Sequence, residues 1–388
     1  MVGAMRRLSR LTRFLAVVVA TTAVLSTGAS YADDSTPVGG PLLGHHGAVA
    51  DGATPPQVYA ASWVLADATT GEVLAAKNAH LEHLPASTLK TLTAVTLLPR
   101  LDKKQVYKAQ WEDAAVEGSA VGIVPDATYT IDQLWYGLML PSGNDAAHAL
   151  ASAAGGMHHT AQLMQAQADK MQALDTTVKN PSGLDADGQY TSAYDLALFA
   201  RAGLERADFR RYVGTVTTAF PGHMPKRKGM KRPTFQIYNQ NPLLLSGYRG
   251  VVGVKTGYTT LAGRTFVGAA ERHGHLLIVA IMGIVEPSDT AAEKLLDWGF
   301  EHRDELAPVG VLVEPITKSQ VAAADPAALP TSLAANGTTT TSANGPSGGW
   351  ALAMALVAVF LVAFAAMRVR SRRRRAQALA RLPLMLRR

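Results

Sequence analysis

The sequence predicts a fold of the α/β type, more narrowly α+β, in which an antiparallel sheet is packed with helices. Strand patterns occur near both ends of the central region, and helical patterns fill its middle. Residues 62–68 and 72–76 flank Thr69-Thr70-Gly71, which is typical of a β-hairpin. Strands at both ends around a helical middle favour a layered arrangement in which helices cover the sheet.

The other elements follow from apolar periodicity along the chain. Helices are predicted at residues 88–98, 131–140, 145–154, 159–174 and 290–300. Strands are predicted at residues 251–254, 265–269 and 276–284. Pro141-Ser142-Gly143 separates the second helix from the third, and such a break is expected to present its side chains instead of burying them.

Composition limits the classes of function. The chain has 388 residues, of which 48% are hydrophobic, so it can bury a sizeable core. It has no cysteine, which excludes a disulfide scaffold, a thiol nucleophile and Cys-ligated zinc. The net charge of +7 comes from arginines near the two ends, and the remainder of the chain is acidic. A basic nucleic-acid surface on the folded part is therefore not expected.

Both ends of the chain carry targeting patterns. Residues 1–32 are predicted to be a signal peptide, because a basic start precedes an apolar run and a small-residue cleavage site after Ala32. Residues 350–367 carry no charge and span about 27 Å as a helix, enough to cross a bilayer core. The arginine-rich tail, residues 368–388, is expected in the cytoplasm, with the preceding chain outside the membrane. The alternatives are an uncleaved N-terminal anchor and a DNA-binding tail.

Composition also divides the region between these ends. Residues 33–56 are rich in Gly, Pro and His and are predicted to form a flexible leader. Residues 313–349 are mostly small or polar towards their end and are predicted to form a flexible stalk. The folded domain is therefore expected at residues 57–312.

Three short motifs occur in order within this domain. Ser87 and Lys90 begin a predicted helix, and their spacing puts both side chains on one face. A serine nucleophile needs an adjacent base, and a lysine with a lowered pKa can serve. Ser142-Gly143-Asn144 lies in the break between helices, and Lys255-Thr256-Gly257 ends a strand, where a cation and a hydroxyl could bind a carboxylate. Each motif alone is also typical of an ordinary helix start, turn or strand end.

Together the three motifs resemble those of the low-molecular-mass penicillin-binding proteins of the D-alanyl-D-alanine carboxypeptidase type. The resemblance covers residues 57–300. It includes Pro85-Ala86 before the serine, residues 180–184, Tyr190, Ser192, and residues 195–197 and 292–300. It implies the serine transpeptidase fold that penicillin-binding proteins share with β-lactamases.

The resemblance also implies a role for each residue. Ser87 is expected to attack the carbonyl between two terminal D-alanines of a peptidoglycan stem peptide, after Lys90 takes its proton. Ser142 is expected to pass a proton to the leaving D-alanine, and Asn144 to position the site. The implied substrate-binding residues are Lys255, Thr256 and Gly257, with the backbone N–H groups of Ser87 and Tyr258 as the oxyanion hole. β-Lactam antibiotics are expected to acylate the same serine.

Three alternatives stay beside this interpretation. A class A β-lactamase needs a glutamate and an asparagine in a loop between the second and third motifs, and Glu205, the one glutamate there, does not match that loop. A D,D-endopeptidase could use the same site. A non-catalytic wall-binding or β-lactam-sensing protein is the alternative from another class. No cofactor and no metal site are expected, because the histidines show no ligand spacing near acids.

The sequence departs from the family pattern in two places. Too few residues follow Phe300 for the second, β-rich domain of many relatives. Pro287-Ser288-Asp289 stands where relatives often have an arginine before the closing helix. Arg264 is the predicted substitute for that arginine. If residues 259–262 form the turn, Gly257 pairs with Arg264, and Arg264 shares a face with Lys255.

Overall fold

The computed structural model describes residues 36–225, 227 and 229–316. The predicted signal peptide, membrane span and basic tail lie outside these residues. The strands are β1 (Ala48–Ala50), β2 (Ser62–Asp67), β3 (Glu72–Lys77), β4 (Val106–Lys108), β5 (Thr128–Thr130), β6 (Thr217–Pro221), β7 (Thr234–Tyr238), β8 (Val251–Thr259), β9 (Gly263–Arg272), β10 (His275–Ile284) and β11 (Gly310–Val311). The helices are α1 (Lys90–Leu97), α2 (Trp111–Ala114), α3 (Ile131–Met139), α4 (Asn144–Ala153), α5 (Met157–Lys170), α6 (Ala193–Leu204), α7 (Ala207–Gly214), α8 (Pro242–Ser246) and α9 (Ser288–His302).

Seven strands form one antiparallel sheet in the order β1-β3-β2-β10-β9-β8, and β11 also pairs with β3. The first strands of the domain thus meet its last strands in the middle of the sheet, where β2 pairs with β10. The predicted antiparallel sheet is therefore confirmed. Strands β8 and β9 are longer than predicted, because glycines and polar residues hide their strand character in the sequence.

Helices cover both faces of the sheet. Along β10, Ile278, Ala280 and Met282 belong to the core on one face, and Leu277 belongs to the core on the other. This alternation follows from the two-residue period of a strand. The α9 helix covers the second face, while most of residues 90–214 cover the first. All eight residues of α1 are buried, so this helix forms the centre of the helical layer.

The flexible leader predicted at residues 33–56 is wrong for the part that the structure describes. Ala48–Ala50 forms β1 and pairs with β3, and the Leu43 side chain is buried. The domain also continues past residue 312, since Glu314 forms an ion pair with Arg201 at 2.8 Å. Short segments that add to a sheet edge through backbone pairing need no apolar periodicity, so composition did not reveal them.

A separate two-stranded hairpin, β6–β7, stands apart from the main sheet. Its Phe220 and Ile237 side chains are buried, whereas most of β7 is exposed. Within residues 36–225, 227 and 229–316, no helix combines the length and the apolar character needed to cross a membrane. The span predicted at residues 350–367 is not among these residues.

Candidate active site

Ser87 lies in a 3-10 turn, Ala86–Leu89, that leads directly into α1. The Pro85 carbonyl oxygen accepts hydrogen bonds from the hydroxyls of Thr88 and Thr265, at 2.5 and 2.9 Å. The first bond closes the turn on itself, and the second fixes the turn to β9. The hydrogen-bonded turn holds Ser87 in place. Because Ser87 is only half-buried, its hydroxyl remains accessible.

Lys90 begins α1 and is completely buried. Its Nζ lies 2.8 Å from Ser87 Oγ, 2.7 Å from Asn144 Oδ1 and 2.8 Å from the Ser182 carbonyl oxygen. The spacing of three residues thus brings the serine and the lysine together, as the sequence predicts. The side-chain amide of Asn144 is fixed against a 180° flip, because its Nδ2 donates to the Glu117 carbonyl oxygen at 2.6 Å.

Three oxygen atoms surround Lys90 Nζ: Ser87 Oγ, Asn144 Oδ1 and the Ser182 carbonyl oxygen. Asn144 Oδ1 and the Ser182 carbonyl oxygen can only accept, so Lys90 donates to both. The Ser87 hydroxyl can accept from a charged ammonium group or donate to an uncharged amine. Burial lowers the pKa of Lys90 well below its ordinary value, and the charge of Lys255 lowers this pKa further, against the opposing effect of Asp145.

Ser142 lies between α3 and α4, where its backbone has a φ of +66°. This left-handed conformation is uncommon for a residue with a side chain and is typical of functional sites. The Ser142 hydroxyl is buried, and no group among the described residues forms a hydrogen bond with it. A buried hydroxyl that lines the cleft without a partner is suited to bind a substrate group.

Asp145 organises the wall beside Asn144. Its carboxylate accepts backbone N–H bonds from Val121, Gly122 and Ile123, at 2.8 to 3.0 Å. Asn144 N in turn donates to the Ser119 carbonyl oxygen at 2.6 Å. The loop before β5 is therefore tied to the start of α4, so the position of the Asn144 side chain is set by two elements.

A loop between α5 and α6 supplies the Ser182 carbonyl oxygen. Asn180 Oδ1 accepts from Ser182 N and Gly183 N, at 3.2 and 2.9 Å. Gln189 braces the same loop through hydrogen bonds to Asn180 N and the Leu184 carbonyl oxygen. In the sequence, residues 180–184 are distinguished only by their resemblance to the family. Its contact with Lys90 has no signal in residue types, because the acceptor is a backbone oxygen.

The β8 strand forms the other wall. A Cβ atom on Gly257 would lie 2.9 Å from the backbone nitrogens of Ser87 and Thr88. Only glycine permits β8 to approach the serine this closely. Lys255 is almost fully buried, and its Nζ donates to the Thr256 carbonyl oxygen at 2.9 Å. Burial lowers the pKa of Lys255 to about 7.

A cleft of about 250 Å³ opens between these walls. The residues that line it are Ser87, Ser119, Ser142, Gln240, Thr256, Gly257, Tyr258, Arg264 and Ser288. Three of these residues are not among the site residues predicted from the sequence: Ser119, Gln240 and Ser288. Ser119 and Gln240 lie in loops that no motif marks, while Ser288 belongs to the stretch that the sequence identified only as lacking an arginine.

The predicted pairing of Arg264 is wrong by one residue. Arg264 pairs with Tyr258, and Thr259 pairs with Gly263, so only three residues form the turn. The Thr259 hydroxyl stabilises this shorter turn by accepting from Ala262 N at 2.9 Å. Directly opposed residues share a face, so Arg264 lies on the face of Tyr258 and not on that of Lys255. On that face it still lines the cleft.

The arrangement suits nucleophilic acyl transfer. An accessible serine contacts a buried amine, and the same cleft is lined by an exposed guanidinium and by a second serine that has no hydrogen-bond partner among the described residues. These features are typical of serine hydrolases and transferases.

Comparison with known proteins agrees with this class. The model of the Peptidase S11 family, D-alanyl-D-alanine carboxypeptidase, matches residues 49–285. The chain belongs to this family, and it is a serine-type D-alanyl-D-alanine carboxypeptidase, a cell-wall hydrolase that acts outside the cytoplasm.

Two curated relatives show the extent of the match. The carboxypeptidase DacB2 of Mycobacterium tuberculosis is 38% identical over 252 residues, which are 63% of this chain and 84% of the relative. DacD of Escherichia coli is 32% identical over 262 residues, which are 64% of this chain and 65% of the relative. The chain therefore spans slightly less than two thirds of the E. coli relative.

Solved structures agree with the fold. A D-alanyl-D-alanine carboxypeptidase from M. tuberculosis has a TM-score of 0.62 at 36% identity, covering 69% of this chain and all of the other. The Streptomyces K15 DD-transpeptidase has a TM-score of 0.60 at 28% identity, covering 64% of this chain and all of the other. The predicted serine transpeptidase fold is thus confirmed.

The charge of Lys255 leads to a prediction about pH. As the predicted base, Lys90 can take a proton only when it is neutral, so we expect activity to rise as pH rises through the pKa of Lys90. The Lys255 cation lowers this pKa, and Lys255→Met should therefore move the acid limb of the kcat/KM profile to higher pH. Lys108→Met, at an exposed lysine outside the cleft, is the control and should leave the limb in place. A shift to lower pH, or an equal shift in both variants, would contradict the electrostatic role.

Proposed function

We propose that the chain removes the terminal D-alanine from peptidoglycan stem pentapeptides through an acyl-enzyme on Ser87. The observation that carries this proposal is the 2.8 Å contact between Lys90 Nζ and Ser87 Oγ, with two further acceptors for the N–H groups of Lys90. The neutral amine takes the serine proton as Ser87 Oγ attacks the scissile carbonyl. The C–N bond then breaks, D-alanine leaves as the amine, and water later hydrolyses the ester.

The neighbouring residues complete the reaction. Ser142 relays a proton to the leaving nitrogen, and the absence of a hydrogen-bond partner for its hydroxyl among the described residues supports this role. Asn144 holds Lys90 in place. The backbone N–H groups of Ser87 and Tyr258 stabilise the oxyanion, and the close approach of Gly257 to the Ser87 nitrogen supports that pairing. β-Lactam antibiotics acylate Ser87 by the same attack.

We infer that the substrate carboxylate is bound by Thr256, Arg264 and Ser288, which are among the residues that line the cleft. Arg264 offers a two-point fork of N–H groups that matches a carboxylate. Lys255 contributes through its field instead of by contact, because it is almost fully buried and its Nζ already donates to the Thr256 carbonyl oxygen. The serine at 288 replaces part of the polar surface that an arginine would supply before α9.

The test compares D-alanine release from a D-Ala-D-Ala peptide with hydrolysis of its C-terminal amide. Arg264→Ala should lower kcat/KM for the free acid about 30- to 150-fold, equivalent to about 2–3 kcal/mol. The amide should change little, since it has no carboxylate to lose. Arg249→Ala, at an exposed arginine before the opposite end of β8, is the matched control and should affect neither substrate. An equal loss on both substrates would remove Arg264 from the carboxylate site.

We also infer on which side of the membrane the catalytic domain and the basic tail lie. A single span at residues 350–367, followed by nine arginines in residues 368–388, places the tail in the cytoplasm and the catalytic domain outside. Residues 317–349 connect the domain to this span.

A further inference from the structure

The basic residues of the folded domain are concentrated in one part of the chain. Residues 209–270 contain ten lysines and arginines and no aspartate or glutamate. Five of the ten lie at positions 226–232, in the loop that connects β6 to β7. The rest of the chain outside the two termini is therefore strongly acidic, and the loop between β6 and β7 is a localised cationic segment.

The loop between β6 and β7 has a rigid base. Arg232 Nε donates to the Gly222 carbonyl oxygen at 2.7 Å, and Arg232 Nη1 donates to the Thr128 carbonyl oxygen at 2.6 Å. The Arg232 guanidinium also lies 4.5 Å from the centre of the Tyr129 ring. The hairpin is thus attached to the domain through β5. The residues between Gly222 and Arg232 extend from this fixed base.

The end of the hairpin combines charge with exposed apolar side chains. We call His223, Met224, Arg227, Met230 and Lys231 the hairpin tip. Met224 and Met230 are 52% and 59% exposed, and Arg227 and Lys231 are also exposed. The sequence adds the positive charges of two further lysines, at positions 226 and 228. Cations beside exposed apolar side chains are the pattern of segments that lie in the interface of an anionic membrane.

We propose that the hairpin tip docks on the anionic phospholipid headgroups of the membrane outside which the domain is held. Lysine and arginine are attracted to the negative surface potential, and the two thioether side chains leave water by entering the headgroup boundary. A hydrated anionic wall polymer would satisfy the cations but would leave both methionines exposed. The exposed methionines therefore favour a lipid surface over a polymer.

Docking of the tip would set the orientation of the catalytic domain relative to the membrane surface. Gln240, which lines the cleft, follows β7 directly, and the tip precedes the same strand. Six residues of extended chain separate Gln240 from Thr234, so the start of β7, next to the tip, lies about 20 Å from Gln240. A docked tip would hold the cleft at a set height near the membrane surface. This inference does not depend on the chemistry proposed for Ser87.

The experiment measures amide hydrogen exchange in the full chain mixed with lipid vesicles. Exchange in residues 222–232 should be about fivefold slower, or more, with vesicles that contain phosphatidylglycerol than with vesicles of phosphatidylcholine alone, and high salt should remove the difference. The readout is local, so insertion of the predicted span into both kinds of vesicle does not affect the comparison.

Two variants and a control test the assignment. Arg227→Gln with Lys231→Gln, and separately Met224→Ser with Met230→Ser, should each reduce the slowing. Lys103→Gln with Lys104→Gln removes two exposed charges elsewhere and should not. All variants should release D-alanine from a soluble peptide at the normal rate, which verifies their folding. Equal exchange with both vesicles, or slowing by a soluble anionic wall polymer but not by lipid, would overturn the proposal.

Discussion

Ser87→Ala is expected to abolish both D-alanine release and covalent labelling by penicillin. Without the hydroxyl no other group contacts Lys90 Nζ from inside the cleft to form the acyl-enzyme, among the residues that the structure describes. Loss of a serine nucleophile costs roughly 10⁴- to 10⁶-fold in kcat. Intact-mass analysis after penicillin treatment should show the adduct on the unaltered protein and none on the variant.

Folding should be unaffected, since the 3-10 turn is held by Thr88 and Thr265 and not by the Ser87 hydroxyl. Ser152→Ala is the matched control, because Ser152 lies on α4 outside the cleft and should retain labelling. A penicillin adduct that persists on Ser87→Ala would show that another residue is the nucleophile. Labelling without D-alanine release in the unaltered protein would favour a β-lactam sensor over an enzyme.

The sequence predicted the sheet and the reactive pair because each depends on local patterns. The apolar run of β10 is buried on both faces, and the three-residue spacing of Ser87 and Lys90 brings the two side chains together in the turn that leads into α1. The three motifs then converge in the fold: Asn144 contacts Lys90, and Gly257 approaches the turn that carries Ser87.

Features that depend on exact register or on backbone atoms could not be predicted. The observed pairing of Arg264 differs from the predicted one by one residue, because Thr259 stabilises a three-residue turn. A shift of one residue in strand register moves every side chain to the opposite face of the sheet. The Ser182 carbonyl oxygen that binds Lys90 is a backbone group, which any residue type could supply. The β1 strand gained its structure from pairing with β3, a contact that is remote in sequence.

Lys90→Met is expected to lower kcat/KM by about 10³-fold or more, because methionine resembles lysine in shape but has no amine to accept the proton. Methionine fills the buried space, so no large cavity forms in α1. Asn144 Oδ1 and the Ser182 carbonyl oxygen lose a donor, at a cost of about 1–3 kcal/mol each, partly offset because a buried amine is removed. The variant should therefore remain folded, with a lower melting temperature.

The pH profile separates the loss of the base from a general disturbance of the cleft. In the unaltered protein, activity should rise through the lowered pKa of Lys90 and then level off, since burial and the Lys255 charge favour the neutral amine. Lys90→Met lacks the Lys90 amine, so the acid limb that belongs to Lys90 should be absent, while the neighbouring Lys255, whose pKa is about 7, still titrates. Penicillin acylation should slow by a similar factor, because both reactions need the Ser87 proton removed. If the variant retained the same acid limb and plateau, a group other than Lys90 would be the base.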